Sequence, residues 1–107
     1  MCGIAGFIAP SKTHDDTAIR AMTNALRHRG PDDAGTWIDS DLGVHFGHSR
    51  LSILDLSPAG HQPMVSRYQR FVITFNGEIY NYQTLTKELQ NAGHTFNGHS
   101  DTEVMLA

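Results

Sequence analysis

The position of Cys2, the only cysteine of the chain, constrains this sequence more than any other feature. A residue as small as cysteine at position 2 normally allows the initiator Met1 to be removed, which would leave Cys2 at the N-terminus. It would then carry a nucleophilic sulfur and an α-amino group, and such amines, with pKa values of about 7.7 to 8, accept protons near neutrality. An N-terminal amine of this kind can activate its own side chain. The alternative is a small buried side chain without chemistry.

The composition excludes several classes of protein. With 107 residues, 39% of them hydrophobic and 18% charged, the chain suits one small globular domain with its own core. Its net charge of −3 offers no basic surface for nucleic acid or anionic lipid. The apolar stretch Gly3–Ala9 is too short to span a bilayer and lacks the basic flank of a signal peptide. We therefore expect a cytoplasmic protein without nucleic-acid or membrane partners.

The first part of the chain predicts a strand followed by a helix. The apolar residues Gly3–Ala9 form a buried strand that Pro10 ends. Asp15 and Asp16 suit the N-terminus of a helix, where carboxylates meet the positive end of the helix dipole. Gly30–Pro31 ends that helix. Its apolar face consists of Ala18, Ile19, Met22, Ala25 and Leu26.

Short apolar runs predict several strands further along. Residues 34–39 form one strand, and residues 43–54 form two strand pieces in which apolar and polar residues alternate. Residues 71–75, rich in β-branched and aromatic side chains, give the strongest strand signal. Residues 94–96 form a short strand, and residues 56–63 form a loop.

Two more helices complete the predicted pattern. One begins after Asn81 as N-cap and ends at Gly93. Ser100–Glu103 is a capping box, which places Asp101 in the first turn of the other helix. Strands and helices in this order predict an α+β domain of antiparallel sheet covered by helices. Because Val104–Ala107 resembles a helix that has just begun, we expect a fragment cut within a domain.

Two groups of residues could serve a nucleophilic cysteine. The Asn76 amide and the Gly77 backbone N–H, at the end of a strand, could stabilise an oxyanion, although Asn-Gly is also an ordinary hairpin turn. Arg50 could bind a carboxylate with its guanidinium, or be a surface arginine. Asp101 could bind an ammonium group, or serve only the helix dipole. Together, Arg50 and Asp101 would recognise the two charged ends of an amino acid.

The charge-dense segment after the first helix has two interpretations. It is either a solvated helix end or a mobile lid over the cysteine with Gly30 as its hinge. Its residues are His28, Arg29, Gly30, Pro31 and Asp32. The seven histidines lack the spacing of a zinc site, and His45 and His48 should face opposite sides of a strand. We expect no metal site.

Five motifs in sequence order resemble the N-terminal glutaminase domain of class II glutamine amidotransferases, most of all the glutamine-hydrolysing asparagine synthetases. They are Met1–Gly6, His28–Asp32, Arg50–Ile53, Asn76–Asn81 and Ser100–Glu103, and they cover essentially the whole chain. The resemblance implies a four-layer αββα Ntn-hydrolase sandwich, incomplete in this fragment. Residues 1–107 would be the N-terminal portion of the glutaminase domain, and its remainder and a synthetase domain would be absent.

The resemblance also implies roles for individual residues. Cys2 would attack the side-chain amide of glutamine and form a glutamyl thioester, with Asn76 and Gly77 as the oxyanion hole. Arg50 would bind the substrate α-carboxylate, and Glu78 and Asp101 its α-amino group. The backbone of the pocket would come from Leu51, Ser52, Ile53 and Leu54. The lid would be His28, Arg29, Gly30, Pro31 and Asp32.

Further expectations concern the whole protein. The ammonia would pass to a synthetase domain that uses ATP and Mg²⁺ to make asparagine from aspartate, whereas the glutaminase fragment itself needs no cofactor. A homodimer is a further expectation. Two alternatives stay open, namely another class II amidotransferase that serves amino-sugar, purine or cell-surface sugar chemistry, and a non-catalytic domain of the same fold.

Overall fold

The fold is a small mixed α/β domain with two antiparallel sheets, seen in a computed structural model that describes residues 1–52 and 56–107. The elements of its first half are β1 (Gly3–Ile8), α1 (Thr17–Ala25), β2 (Asp33–Asp39), β3 (Val44–Arg50) and a 3₁₀ turn (Pro58–Gly60). Those of its second half are β4 (Met64–Val65), β5 (Val72–Ile73), α2 (Tyr82–Asn91) and α3 (Asp101–Leu106).

The larger sheet has the strand order β1-β3-β2, with antiparallel pairing throughout. Gly3 lies opposite Ser49 on one side of β3, and Asp33 lies opposite Arg50 on the other side. The starts of β1 and β2 therefore meet the end of β3 at one edge of the sheet. This register brings Cys2, which precedes β1, next to the residues that follow β3.

Helix α1 covers one face of this sheet. Ile19 is fully buried, and the Thr23 hydroxyl lies so close to Gly47 that a Cβ atom at position 47 would collide with it. The Ser49 hydroxyl donates a hydrogen bond to the carbonyl of Thr23 over 2.9 Å. The sequence Gly47-His48-Ser49 thus fits the helix because a glycine permits close approach and a hydroxyl anchors the helix backbone.

The second sheet and the two later helices form the rest of the domain. β4 pairs with β5, α3 packs against both of these strands, and α2 contacts α3. The Thr74 hydroxyl donates to the Gly47 carbonyl over 3.4 Å, which ties the segment after β5 to the larger sheet. The α+β arrangement of antiparallel sheet and helices is confirmed, and it is compatible with part of an Ntn-type fold. Within residues 1–52 and 56–107, no helix is both long and apolar enough to cross a membrane.

Several predicted elements are confirmed, among them β1, the first helix, β2 and both later helices. β1 is not the buried strand that was predicted, because it lies at the edge of the sheet and its Ile4 and Ile8 side chains are exposed. Ser100 caps α3 as predicted, since its hydroxyl accepts a hydrogen bond from the N–H of Glu103. The Glu103 carboxylate then accepts from the N–H groups of Asn97 and Gly98. Asn81 is the N-cap of α2, but its side chain makes no capping hydrogen bond.

Three strand predictions are wrong. Within residues 43–52 there is one uninterrupted strand, Val44–Arg50, paired on both sides, and no second piece begins at Leu51–Ser52; the rest of the predicted second piece lies outside the described residues. The strand predicted at 71–75 covers only Val72–Ile73, because the N–H groups of Phe71 and Phe75 donate to side chains instead of to a neighbouring strand. Residues 94–96 form no strand.

Candidate active site

A cleft of about 380 Å³ opens where β1 and β3 meet the segment that follows β5. Its volume lies within the range of small-molecule sites. Met1 contributes to the cleft wall, together with backbone and side chains from the end of β3 and the start of α3. Seven of the predicted site residues line it, namely Cys2, Arg50, Leu51, Asn76, Gly77, Glu78 and Asp101.

The sulfur of Cys2 is held against the chain at the end of β3. The N–H of Leu51 donates a hydrogen bond to the Sγ of Cys2 over 3.2 Å, and the Leu51 carbonyl lies 3.5 Å from the same sulfur. The Arg29 Nε donates to the Cys2 carbonyl over 3.1 Å. Contacts on both sulfur and main chain therefore fix the position of a thiol that is partly open to the cleft.

Arg50, the last residue of β3, brings a largely buried cation to the cleft. It is 7% exposed, and its guanidinium donates to the Ser57 carbonyl over 2.8 Å. Gly60 packs directly on the guanidinium, so that a Cβ atom at this position would overlap it. A buried charge needs hydrogen-bond partners, and the planar guanidinium can bind a carboxylate through two parallel bonds.

The Asn76-Gly77 pair follows β5 and lines the cleft that contains Cys2. It is not a hairpin turn, because the element after β5 is the helix α2. An asparagine amide and a glycine N–H on one wall are donor types that can stabilise an oxyanion.

Asp101 adds a buried carboxylate at the start of α3. It is 6% exposed, and its Oδ2 accepts a hydrogen bond from the N–H of Ile79 over 2.8 Å. Its position follows from the capping box, which starts the helix at this residue. The exposed Glu78 lines the same cleft, so two carboxylates are available to a cationic group.

The segment 28–32 is fastened to the end of β3. Gly30 is buried against the backbone of Ser49 and Arg50, and a side chain there would collide with both. The Asp32 N–H donates to the Arg50 carbonyl over 3.0 Å, and the Asp32 carboxylate accepts from the N–H of Ser52 over 2.8 Å.

The other residues of the predicted site differ in where they lie. His28 and Pro31 are exposed, whereas Arg29 reaches the backbone of Cys2. Leu51 lines the cleft, and Ser52 contacts Asp32. The predicted pocket residues Ile53 and Leu54 lie outside the described residues.

Sequence reasoning missed two polar residues in the cleft wall, Gln62 and Thr102. Both are buried, and the Gln62 Nε2 donates to the Thr102 hydroxyl over 3.2 Å. A glutamine in a loop and a threonine in a first helical turn are ordinary surface residues in sequence. In the sequence, Gln62 is distinguished only by its position before Pro63, and Thr102 only by its position after Asp101.

The two neighbouring histidines of β3 face opposite sides, as predicted. The His45 ring stacks on Phe7 with 4.3 Å between ring centroids, whereas the His48 Nε2 lies 3.1 Å from the Phe75 carbonyl. Burial lowers the pKa of His48, and the nearby charge of Arg50 acts in the same direction against the hydrogen bond to Phe75. No group of three or more His, Cys, Asp or Glu in residues 1–52 and 56–107 could hold a metal ion.

Comparison with known proteins gives a match over the whole chain. The family described as "Glutamine amidotransferase domain" matches residues 1–107. Asparagine synthetase (glutamine-hydrolyzing) 3 of Bacillus subtilis (strain 168) is 42% identical over 110 residues, which cover 99% of this chain and 17% of the relative.

Two further relatives come from the same bacterial strain. Asparagine synthetase (glutamine-hydrolyzing) 1 is 44% identical over 111 residues, which cover 100% of this chain and 17% of the relative. Asparagine synthetase (glutamine-hydrolyzing) 2 is 43% identical over 110 residues, which cover 99% and 14%. The chain thus spans less than a fifth of the length of each of these three curated relatives.

Proposed function

This chain belongs to the family of glutamine amidotransferase domains, and from that premise we propose that it hydrolyses glutamine to glutamate and ammonia. The observation that carries the proposal is the set of groups around one cleft. A cysteine sulfur, a buried guanidinium, a buried carboxylate and an Asn-Gly pair all line it. This set suits a substrate with a carboxylate, an ammonium group and an amide carbonyl, and free glutamine has all three.

Binding would fix both charged ends of the amino acid. The guanidinium of Arg50 would pair with the α-carboxylate of glutamine through two hydrogen bonds. Asp101 and Glu78 would accept hydrogen bonds from its α-ammonium group. The backbone after β3, at Leu51, would line the pocket, and the segment 28–32, which is hydrogen-bonded to the end of β3, would form the lid over the bound substrate. The side-chain amide of glutamine would then point toward Cys2.

The reaction would proceed in two stages at the side-chain amide. Removal of Met1 would free the α-amino group of Cys2, which takes the thiol proton as sulfur forms a bond to the amide carbon. The Asn76 side chain and the Gly77 N–H would donate hydrogen bonds to the resulting oxyanion. The α-amino group of Cys2, now protonated, then gives its proton to the leaving nitrogen of the substrate amide. The C–N bond breaks and ammonia departs. Water attacks the thioester, releases glutamate and restores the thiol.

The length of the relatives supports a further domain. They are named glutamine-hydrolysing asparagine synthetases, and the match leaves most of their length outside this chain. We propose that residues 1–107 are the N-terminal portion of a glutaminase domain whose ammonia passes to a synthetase domain, which makes asparagine from aspartate. ATP and Mg²⁺ would bind there, and neither takes part in the steps above.

Mass spectrometry of the intact protein tests the proposed chemistry. Acid quenching during glutamine turnover should trap a glutamyl group on the N-terminal peptide that begins with Cys2, with equal amounts of glutamate and ammonia released. Methylation of the thiol before glutamine is added should abolish the adduct and the turnover together. Turnover with a glutamyl adduct on another residue would contradict the proposal.

A further inference from the structure

The backbone N–H and carbonyl of Phe75 both form hydrogen bonds with buried side chains instead of with a neighbouring strand. The Phe75 N–H donates to the Gln62 Oε1 over 2.7 Å, and the Phe75 carbonyl lies 3.1 Å from the His48 Nε2. Because a carbonyl only accepts, this histidine nitrogen must carry the proton. The residue before Asn76 is therefore fixed by side chains at the point where the β5 pairing has ended.

Gln62 extends the same network to α3. Since the N–H of Phe75 is a donor, the atom facing it must be the amide oxygen of Gln62, which leaves the amide nitrogen to donate to the Thr102 hydroxyl over 3.2 Å. Gln62 is 7% exposed and Thr102 is 3% exposed. Loss of either partner would leave a buried polar group without its hydrogen bond, which is unfavourable.

The far end of the same loop is also attached to α3. The Asp101 carboxylate accepts from the N–H of Ile79, so the loop 75–79 is held at both ends by buried side chains. Asn76, Gly77 and Glu78 lie between these two points and line the cleft. The helix that contributes Asp101 also contributes Thr102, so one helical turn anchors the loop at both ends.

We propose that Gln62 is a positioning residue for glutamine hydrolysis, because it joins the backbone before Asn76 to the first turn of α3. This inference rests on the proposed function. Oxyanion donors act only within about 2.7–3.1 Å of the charge that develops, and a shift of about 1 Å far from the chemistry can cost on the order of 10² in rate. The amide oxygen and the amide nitrogen of Gln62 are already engaged by Phe75 and Thr102, so Gln62 acts through the loop.

The first test removes the amide while it keeps the length of the side chain. In the intact protein, Gln62→Met should lower the kcat for glutamine by on the order of 10-fold to 10²-fold, whereas KM should stay within about 3-fold of wild type. The reason is that Arg50 and Asp101 keep their other partners, Ser57 and Ile79. Gln90→Met, on the exposed surface of α2, is the matched control and should leave both constants unchanged.

A pair of variants at Thr102 separates positioning from packing. Thr102→Val keeps the shape but removes the hydroxyl, and it should lower kcat by on the order of 10-fold. Thr102→Ser restores the hydroxyl with less volume, and it should return kcat to within about 3-fold of wild type. If valine is tolerated and serine is not, volume rather than the hydrogen bond matters, and the inference is wrong.

Amide hydrogen exchange provides a readout that does not depend on turnover. Gln62→Met should accelerate exchange at the Phe75 amide, and Gln90→Met should not. Wild-type kcat and wild-type exchange in Gln62→Met would overturn the inference while leaving the proposed function intact. Conversely, if the wild-type protein does not hydrolyse glutamine, the proposed function fails, and the exchange rates still decide whether Gln62 holds the loop.

Discussion

The N–H of Leu51 donates a hydrogen bond to the Sγ of Cys2 over 3.2 Å, although 49 positions separate the two residues in sequence. The pairing of Gly3 with Ser49 accounts for this contact, because Cys2 and Leu51 lie just beyond that pair. Arg50 is the residue between Ser49 and Leu51. One strand pairing therefore sets the distance between the candidate nucleophile and the candidate substrate-binding cation.

The first prediction concerns the donors for the oxyanion. Asn76→Ala should lower the kcat for glutamine by about 10²–10³ and leave KM close to wild type, because the lost hydrogen bond forms mainly in the transition state. Steady-state glutaminase kinetics of the intact protein would measure both constants. Asn91→Ala, at the exposed end of α2, is the control. A raised KM with a normal kcat would assign Asn76 to ground-state binding instead.

The second prediction uses the contact between Gly60 and Arg50. In Gly60→Ala the new Cβ would lie 2.7 Å from the Arg50 Cζ, closer than carbon atoms approach, so the guanidinium must move. Because this group is the flexible end of a side chain, the fold should tolerate the change. We expect KM for glutamine to rise by on the order of 10-fold or more while the melting temperature changes little.

The control for Gly60→Ala is a substitution at Ala59, in the same 3₁₀ turn. Ala59→Gly alters the backbone freedom of the 3₁₀ turn without adding atoms near Arg50, so KM should stay at the wild-type value. Kinetics and thermal unfolding of both variants would decide. An unchanged KM in Gly60→Ala would show that the position of the guanidinium does not control substrate binding.

The third prediction concerns stability at acidic pH. Burial lowers the pKa of His48, so the unfolded chain, in which histidine titrates near its ordinary value of about 6.5, binds a proton that the folded chain excludes. The contribution of His48 to the free energy of unfolding should therefore be fully present above about pH 6.5. It should be lost as the pH falls toward the lowered pKa of His48 in the folded state.

A pair of histidine variants isolates this effect. His48→Gln can still donate to the Phe75 carbonyl but cannot titrate, so part of the acid-induced loss of stability should disappear. His94→Gln, at an exposed position after α2, should keep the wild-type pH dependence. Denaturant unfolding across a pH series measures the effect. An unaltered pH profile in His48→Gln would show that this ring does not cause the loss.

Local signals made much of the fold predictable, and the errors arose where partners are distant in sequence. The capping box Ser100–Glu103 involves four successive residues, so the sequence alone located α3 and placed Asp101 in its first turn. The residues 71–75 have high strand propensity, yet their pairing depends on β4, which is two residues long. Propensity does not reveal the length of a partner.

The residues of the candidate site also differ in whether local sequence could identify them. The charged and amide groups could be named because their chemistry is visible in the residue types. Gln62 could not, since its role depends on Phe75 and Thr102, which lie 13 and 40 positions away. A buried polar network of this kind has no periodicity that sequence reasoning could detect.

The most direct test of the central claim is the rate of glutamate release from glutamine by the intact wild-type protein and by its Cys2→Ala variant. Mass spectrometry of the wild type should first show that its chain begins with Cys2. We predict that the variant, folded to the same melting temperature, loses glutaminase activity by on the order of 10³-fold or more, because Cys2 is the only thiol in residues 1–107 and its sulfur forms the thioester. Wild-type glutamate release from Cys2→Ala would contradict the account.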